Sequence, residues 1–153
     1  MIASGSTTYR STGSRVYLPF CLSHLSRAHA EIGQFVDACR CIGEALTAVK
    51  TTKERWYEAE INRIAGEIAL LLLPEPDAAK AEANFERALV VARQQQAKSW
   101  ELRAAMSMAR LWRDQGKLDE ARGLLTPVYN WFTEGFDTRD LKEAKALLEM
   151  LPT

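Results

Sequence analysis

Apolar residues recur every three or four positions along almost the whole chain from Val16 onward. This spacing places them along one side of an α-helix, whereas a half-buried strand would alternate apolar and polar residues. No stretch of the sequence alternates in that way over the length of a strand. The pattern therefore predicts an all-α protein with about seven helices.

Turn signals divide this helical pattern into three pairs of helices and one last helix. Gly33-Gln34 and Gly116-Lys117 indicate tight turns within the first and third pairs, and Pro74–Asp77 separates the two helices of the second. The predicted pairs cover about residues 16–50, 51–96 and 99–132, and a capping helix covers about 138–151. Residues 1–15 are rich in Ser, Thr and Gly, and we expect them to be poorly ordered or the remnant of a preceding repeat.

Capping signals refine three of the predicted helix ends. Thr51 and Glu54 have the spacing of a capping box that opens the second pair. Asp137 and Asp140 suggest a similar start for the last helix. Pro127 falls inside a helical pattern, which predicts a kink or an early end there.

The second helices of the pairs share one order of small and large residues. Ala38, Ile42 and Ala45 in the first pair correspond to Ala81, Phe85 and Ala88 in the second. An alanine lets the neighbouring helix approach closely, and a bulky side chain one turn later fills the gap. Stacked helix pairs of this kind form an α-α solenoid, in which each pair buries its apolar face against the next.

This order resembles the tetratricopeptide repeat, although the period here is longer than the usual roughly 34 residues of that family. Residues 97–145 and 54–67, and more loosely 3–22, also resemble the C-terminal repeat region of large bacterial signalling proteins. Those proteins join a nucleotide-cyclase or regulatory domain to a predicted ATPase. The resemblance implies a right-handed solenoid of about three helix pairs with a capping helix, and a scaffolding or sensing role in the cytoplasm.

Composition excludes several other classes of protein. The 20 basic and 20 acidic residues cancel, which disfavours nucleic acid and anionic membranes as partners. The longest apolar run, from Ile68 to Leu73, is far shorter than the about 20 residues that span a bilayer. Three Cys without a framework spacing fit a reducing compartment, so a cytoplasmic location is expected.

The sequence carries no enzyme signature. It contains neither the phosphate-binding loop nor the dinucleotide-binding glycine motif. His24 and His29 are five positions apart, which places them on different sides of a helix and argues against a shared zinc ion. Cys21, Cys39 and Cys41 are interpreted as small buried apolar residues. We therefore expect a non-enzymatic protein with no catalytic residue, cofactor or metal.

A surface remains as the candidate for function. In a solenoid of this type the first helix of each pair lines the concave side, and its polar stripe would face a partner. The predicted binding surface consists of Phe20, Ser23, Arg27, Glu31, Glu60, Arg63, Glu67, Arg103, Met106, Arg110 and Arg113. Its five arginines would bind a protein or an acidic peptide through charge-assisted hydrogen bonds. The alternative is that the stripe is the solvated side of ordinary amphipathic helices.

Two other functions stay open from the sequence: a sensor domain for a small effector molecule, and a structural fragment without a ligand. A homodimer is a further expectation, because an incomplete stack would expose the apolar face near residues 17–25. Trp131, Phe132 and Phe136 are predicted to close the other end of the stack as core residues.

Overall fold

A computed structural model describes residues 17–53, 55–72 and 75–151 of the chain. These residues form seven α-helices and no strand, which confirms the all-α prediction. The helices are α1 (Leu18–Glu31), α2 (Phe35–Thr52), α3 (Glu58–Leu71), α4 (Ala78–Gln94), α5 (Lys98–Asp114), α6 (Leu118–Asn130) and α7 (Arg139–Glu149). The expectation of poor order over residues 1–15 lies outside the described residues.

The turns between helices follow from local chemistry. Gly33 and Gly116 adopt φ angles of 82° and 80°, a left-handed conformation that costs glycine little, so the two tight turns form as predicted. Asp77 accepts a hydrogen bond from the backbone N–H of Lys80 at 3.0 Å and thereby caps α4. These three residues fix where the chain reverses.

Two capping predictions are wrong. Thr51 lies in the last turn of α2, where its hydroxyl donates to the carbonyl of Thr47 at 2.9 Å. The apolar stripe of α2 continues through Val49, so that helix ends later than expected, at a left-handed Lys53, and α3 begins at Glu58. At the start of α7, Thr138 occupies the N-cap position without a side-chain hydrogen bond, and Asp137 does not cap the helix.

Pro127 does not end its helix, because α6 continues to Asn130. A proline in a helix removes the hydrogen bond to the carbonyl four residues earlier, here that of Gly123. Gly123 is exposed, so water can replace that partner. The Trp131 N–H still donates to the Pro127 carbonyl at 3.2 Å, which keeps the last turn regular.

The helices lie in two layers. Each helix packs against the next one in the chain, and α1, α3, α5 and α7 also contact one another in a row. Within the part of the chain that the structure describes, α2 does not contact α4, and α4 does not contact α6. The odd-numbered helices therefore form a continuous layer, and α3 at its centre is packed against α1, α2, α4 and α5.

The alanines of the repeated order lie in the core as predicted. Ala38, Ala81 and Ala121 are completely buried on α2, α4 and α6, and the Phe85 ring is completely buried as well. The aromatic prediction at the end of the stack is wrong for two of three residues, because the side chains of Trp131 and Phe136 are exposed; Phe132 is half-buried against the core. No helix in the described ranges is both long and apolar enough to cross a membrane.

Candidate functional site

Four of the helices contribute arginines to one polar concavity. This concavity, which we call the arginine basin, has a volume of about 430 Å³ and is lined by Arg27, Arg63, Arg103, Met106, Arg110, Arg139, Asp140 and Glu143. Arg27 comes from α1, Arg63 from α3, Arg103 and Arg110 from α5, and Arg139 from α7. Every helix of the odd-numbered layer thus supplies at least one guanidinium group.

The basin contains only part of the surface predicted from the sequence. Arg27, Arg63, Arg103, Met106 and Arg110 line it, whereas the other six predicted residues do not: Phe20, Ser23, Glu31, Glu60, Glu67 and Arg113. Glu31 and Glu67 line a neighbouring cleft of about 270 Å³ between α1 and α3. Arg113 forms an ion pair with the adjacent Asp114 at 3.1 Å.

The prediction of a fully accessible stripe is wrong for several of its members. Ser23 and Glu60 are buried, and Met106 is almost completely covered. Helices of the odd-numbered layer touch each other side by side, so the residues between them lose contact with water. The Ser23 hydroxyl donates to the Phe20 carbonyl within α1 at 2.7 Å, which satisfies it locally.

A buried ion pair forms the floor beneath the basin. Glu60 is only 1% exposed, and its Oε1 accepts hydrogen bonds from both Nε and Nη2 of Arg63. Arg103 Nη1 lies 3.1 Å from the same Oε1, which links α5 to α3. Glu60 Oε2 is buried and has no hydrogen-bond partner in the described part of the chain. One carboxylate therefore orients two arginines of the basin from below.

Arg63 is tied to α5 by a second set of contacts. Its Nη1 donates to Glu67 Oε1 at 3.2 Å and to the Ser107 hydroxyl at 3.4 Å. Ser107 in turn donates to Glu67 Oε1 at 2.7 Å. The hydrogen-bonding capacity of Arg63 is thus used mainly within the fold. Sequence reasoning missed Ser107, although its position four residues after Arg103 would have placed it on the same stripe.

Three other arginines of the basin retain free donors. Arg27 and Arg110 donate no hydrogen bond to any described residue, whereas Arg103 is held by Glu60 through Nη1 at 3.1 Å. Arg103 Nε lies 3.8 Å from Asp140 Oδ2, and Arg110 Nη2 lies 3.6 Å from Glu143 Oε2. Both of these distances exceed that of a hydrogen bond, so these are loose ion pairs. The N–H groups of Arg27 and Arg110, and those of Arg103 that do not face Glu60, remain available to an anion.

The α7 side of the basin carries its two carboxylates. Glu143 Oε1 accepts a hydrogen bond from Arg139 Nε at 2.8 Å. That bond, together with the nearby charges of Arg110 and Arg103, lowers the pKa of the Glu143 carboxyl below its usual value. Glu143 is therefore ionised at neutral pH. The contribution of α7 to the basin was not predicted, because the sequence pattern of α7 indicates a capping helix with a polar outer side.

Aromatic side chains surround His24 beside this network. The Tyr57 hydroxyl lies 3.3 Å from His24 Nε2, and the Phe20 ring centroid lies 4.3 Å from that of His24. Burial lowers the pKa of His24, the positive charge of Arg27 adds to this effect, and the negative charge of Glu60 opposes it. Burial likewise raises the pKa of the Tyr57 hydroxyl. Both groups are neutral at neutral pH and act here as packing and hydrogen-bonding residues.

The other residues that sequence analysis singled out for chemistry lie apart from the basin. His29 shares a hydrogen bond with Gln34 at the turn after α1. Cys21, Cys39 and Cys41 form no disulfide within the described ranges; Cys41 is buried, and Cys21 and Cys39 are half-buried. Within the described ranges, no three His, Cys, Asp or Glu side chains come close enough together to hold a metal ion. The arrangement offers guanidinium donors to an anion.

Comparison with known proteins adds no relative: no protein-family model matches the sequence, and no curated protein is significantly similar to it.

Proposed function

We propose that this chain is a non-enzymatic protein-interaction module that binds an acidic segment of a partner protein in the arginine basin. The observation that carries the proposal is that all four odd-numbered helices direct arginines into one concavity. Guanidinium groups bind carboxylates and other oxyanions through paired, charge-assisted hydrogen bonds. A partner that fills the basin would contact the whole layer at once.

The arginines of the basin differ in how firmly internal acids hold them, and this difference supports an interaction surface over a purely structural network. If the charges served only the fold, every arginine would be held by an internal acid. Arg63 fits that description, because Glu60 and Glu67 both accept its hydrogen bonds. Arg27 does not, because it has no ion pair or hydrogen bond with a described residue, and Arg110 has only the loose ion pair with Glu143 at 3.6 Å. These two side chains are therefore the ones that a partner would bind.

In this proposal the fold is a right-handed α-α solenoid of three TPR-like pairs closed by α7. The two-layer contacts support it, because the first helices of successive pairs line up in one layer. The chain would then serve as the C-terminal arm of a cytoplasmic signalling protein related to cyclase and ATPase regulators. That context follows from the sequence resemblance alone.

The test is a pull-down from lysate of the source organism with a pair of charge-matched double variants. Arg27→Gln/Arg110→Gln removes two basin arginines that donate no internal hydrogen bond. Arg40→Gln/Arg87→Gln removes the same charge from exposed side chains on α2 and α4. We expect the wild type and the control to capture a common partner, and the basin variant to lose it. Circular dichroism verifies equal helicity.

The pull-down also defines what would refute the proposal. Equal capture by all three proteins would place the interface elsewhere, and equal loss in both variants would indicate that only net charge matters. Bound partner should also be released as salt rises, because screening weakens contacts between exposed charges. Retention at high salt would argue against an arginine-based interface.

A further inference from the structure

We infer that the arginine basin is a site for a phosphate monoester, rather than for a carboxylate. This inference rests on the proposed function, because it names the kind of anion that the interaction surface takes. Three features of the basin lead to it: the directions from which its free donors come, the space between them, and the placement of its two carboxylates.

The free donors approach from two sides of α3. Arg27 belongs to α1 and Arg103 and Arg110 to α5, and these two helices flank α3 without contacting each other. Arg103 and Arg110 are seven residues apart on α5, which separates their backbones by about 10 Å along the helix axis. The three guanidinium groups therefore start from three separate points, one on α1 and two along α5, on opposite sides of α3.

An anion that satisfies these donors must offer oxygens in several directions. A carboxylate has two oxygens in one plane, which match one or two guanidinium forks. A phosphate monoester has three terminal oxygens arranged tetrahedrally and carries close to two negative charges at neutral pH. Planar guanidinium groups bind phosphate and carboxylate alike through paired hydrogen bonds, so the preference rests on the shape and charge of the anion. The tetrahedral group fits donors that come from separate points on two helices better.

The size of the basin allows the carrier of the phosphate to enter too. About 430 Å³ lies within the range of ordinary ligand cavities and far exceeds the volume of a bare phosphate. The carrier is either a phosphorylated side chain of a partner or a small phosphate ester, and both present the same chemical group.

Asp140 and Glu143 determine where in the basin the phosphate lies. Both carboxylates come from α7 and would repel a dianion. Their ion pairs with Arg103 and Arg110 are loose, at 3.8 and 3.6 Å, so an incoming phosphate can replace them as partners of those arginines. The phosphate should therefore sit toward Arg27, on the side away from α7. Neutralising Glu143 would then strengthen binding rather than weaken it.

The test is an NMR titration that follows the Nε–Hε signals of the arginines in the full chain. Inorganic phosphate and acetate are added separately at matched ionic strength. We expect the signals of Arg27, Arg103 and Arg110 to shift together and saturate with phosphate, at about tenfold lower concentration than with acetate. The signals of Arg40 and Arg87, outside the basin, serve as the internal control and should not saturate.

Two variants with opposite expected effects sharpen the test. Arg110→Gln should weaken phosphate binding about tenfold, because a charge-assisted contact is lost. Glu143→Gln should tighten it severalfold by removing a repelling charge. A general loss of folded structure would not raise the phosphate affinity of one variant and lower that of the other. Weaker binding in both would overturn the assignment.

The outcomes separate this inference from the proposed function. If acetate and phosphate bind equally well, the phosphate assignment is wrong and an acidic segment remains the proposed ligand. If neither anion moves the basin signals more than those of Arg40 and Arg87, both proposals fail. If phosphate binds, titrations with a phosphoserine peptide and with glycerol phosphate show which kind of molecule carries the phosphate. Tighter binding of the peptide indicates a phosphorylated partner, and equal binding indicates a small phosphate ester.

Discussion

Gly66 of α3 and Phe85 of α4 approach so closely that a single methyl group does not fit between them. A Cβ atom added to Gly66 would lie 2.7 Å from Cδ1 of the Phe85 ring and closer still to Cε1. The ring is completely buried, so it has no room to turn away. This contact sets how closely the two helices of the second pair approach each other.

Gly66→Ala should therefore destabilise the protein, even though alanine favours a helix by about 1 kcal/mol over glycine. Overpacking of a filled core costs about 1–3 kcal/mol, so the net loss should reach up to about 2 kcal/mol. Chemical denaturation measures it. Gly43→Ala and Gly123→Ala are matched controls, because both helical positions face open space and should gain stability. A stabilised Gly66→Ala variant would contradict the close contact.

Arg63 and Glu60 give a second prediction about stability. Arg63→Met leaves the buried Glu60 carboxylate with Arg103 as its remaining partner, so it should destabilise the protein by less than the about 3 kcal/mol of a fully uncompensated buried charge. The double variant Glu60→Leu/Arg63→Met removes both charges and should recover part of that loss. Urea denaturation of the wild type, Glu60→Leu, Arg63→Met and the double variant measures the coupling energy between Glu60 and Arg63. A double variant less stable than Arg63→Met would show that Glu60 is not penalised by the loss of its partner.

Helix positions were largely predictable from the sequence, because apolar spacing and turn residues are local signals. Asp77 caps α4 as its position before an apolar stripe suggests, and Gly33 and Gly116 form the turns. The Thr51–Glu54 prediction failed because a capping box competes with a preceding helix. The apolar stripe of α2 extended that helix through Thr51.

The candidate site was less predictable, because burial depends on neighbours that a single helix pattern does not show. Glu60 was placed on an exposed stripe from its spacing to Arg63, yet α3 is packed on several sides and has little solvated surface. A signal for this was present: Ala59, Ala65 and Gly66 add small residues around the helix, which allows neighbours on every side. The contribution of α7 to the basin could be predicted only by knowing the order of the helices in the layer, which brings α7 beside α5.

Self-association through α1 is a third prediction, taken from the partly exposed apolar side chains at its start. In residues 17–25 Tyr17 is about half exposed, while Leu18, Phe20 and Leu25 are half-buried. Tyr17→Lys would place a charge in such an interface and should shift the dimer toward monomer in sedimentation experiments. Phe136→Lys changes a side chain of similar exposure between α6 and α7 and should leave the dimer intact. A wild-type protein that stays monomeric at high concentration would refute the dimer.

His24 makes the stability of the fold depend on pH in a defined direction. The groups around it are Phe20 and Arg27 on its own helix, Tyr57 and Glu60 on the α3 side, and Arg103 on α5. Burial, with the positive charges of Arg27 and Arg103, lowers the pKa of His24 in the folded protein below the ordinary value of 6.5, and the opposing effect of the Glu60 charge is smaller. The unfolded chain therefore binds a proton at a higher pH than the folded protein does.

The sign of the effect follows from this difference. Above pH 6.5 His24 is neutral in both states, and its contribution to stability is fully present. As the pH falls below 6.5 the unfolded chain takes up the proton first, so stability is lost until the folded protein is protonated as well. Urea denaturation between about pH 5 and pH 8 should show this loss in the wild type and a smaller one in His24→Gln. NMR titration of the His24 ring measures the folded pKa directly. A value at or above 6.5 would mean that Glu60 outweighs burial and Arg27, and stability would then rise on acidification through this range.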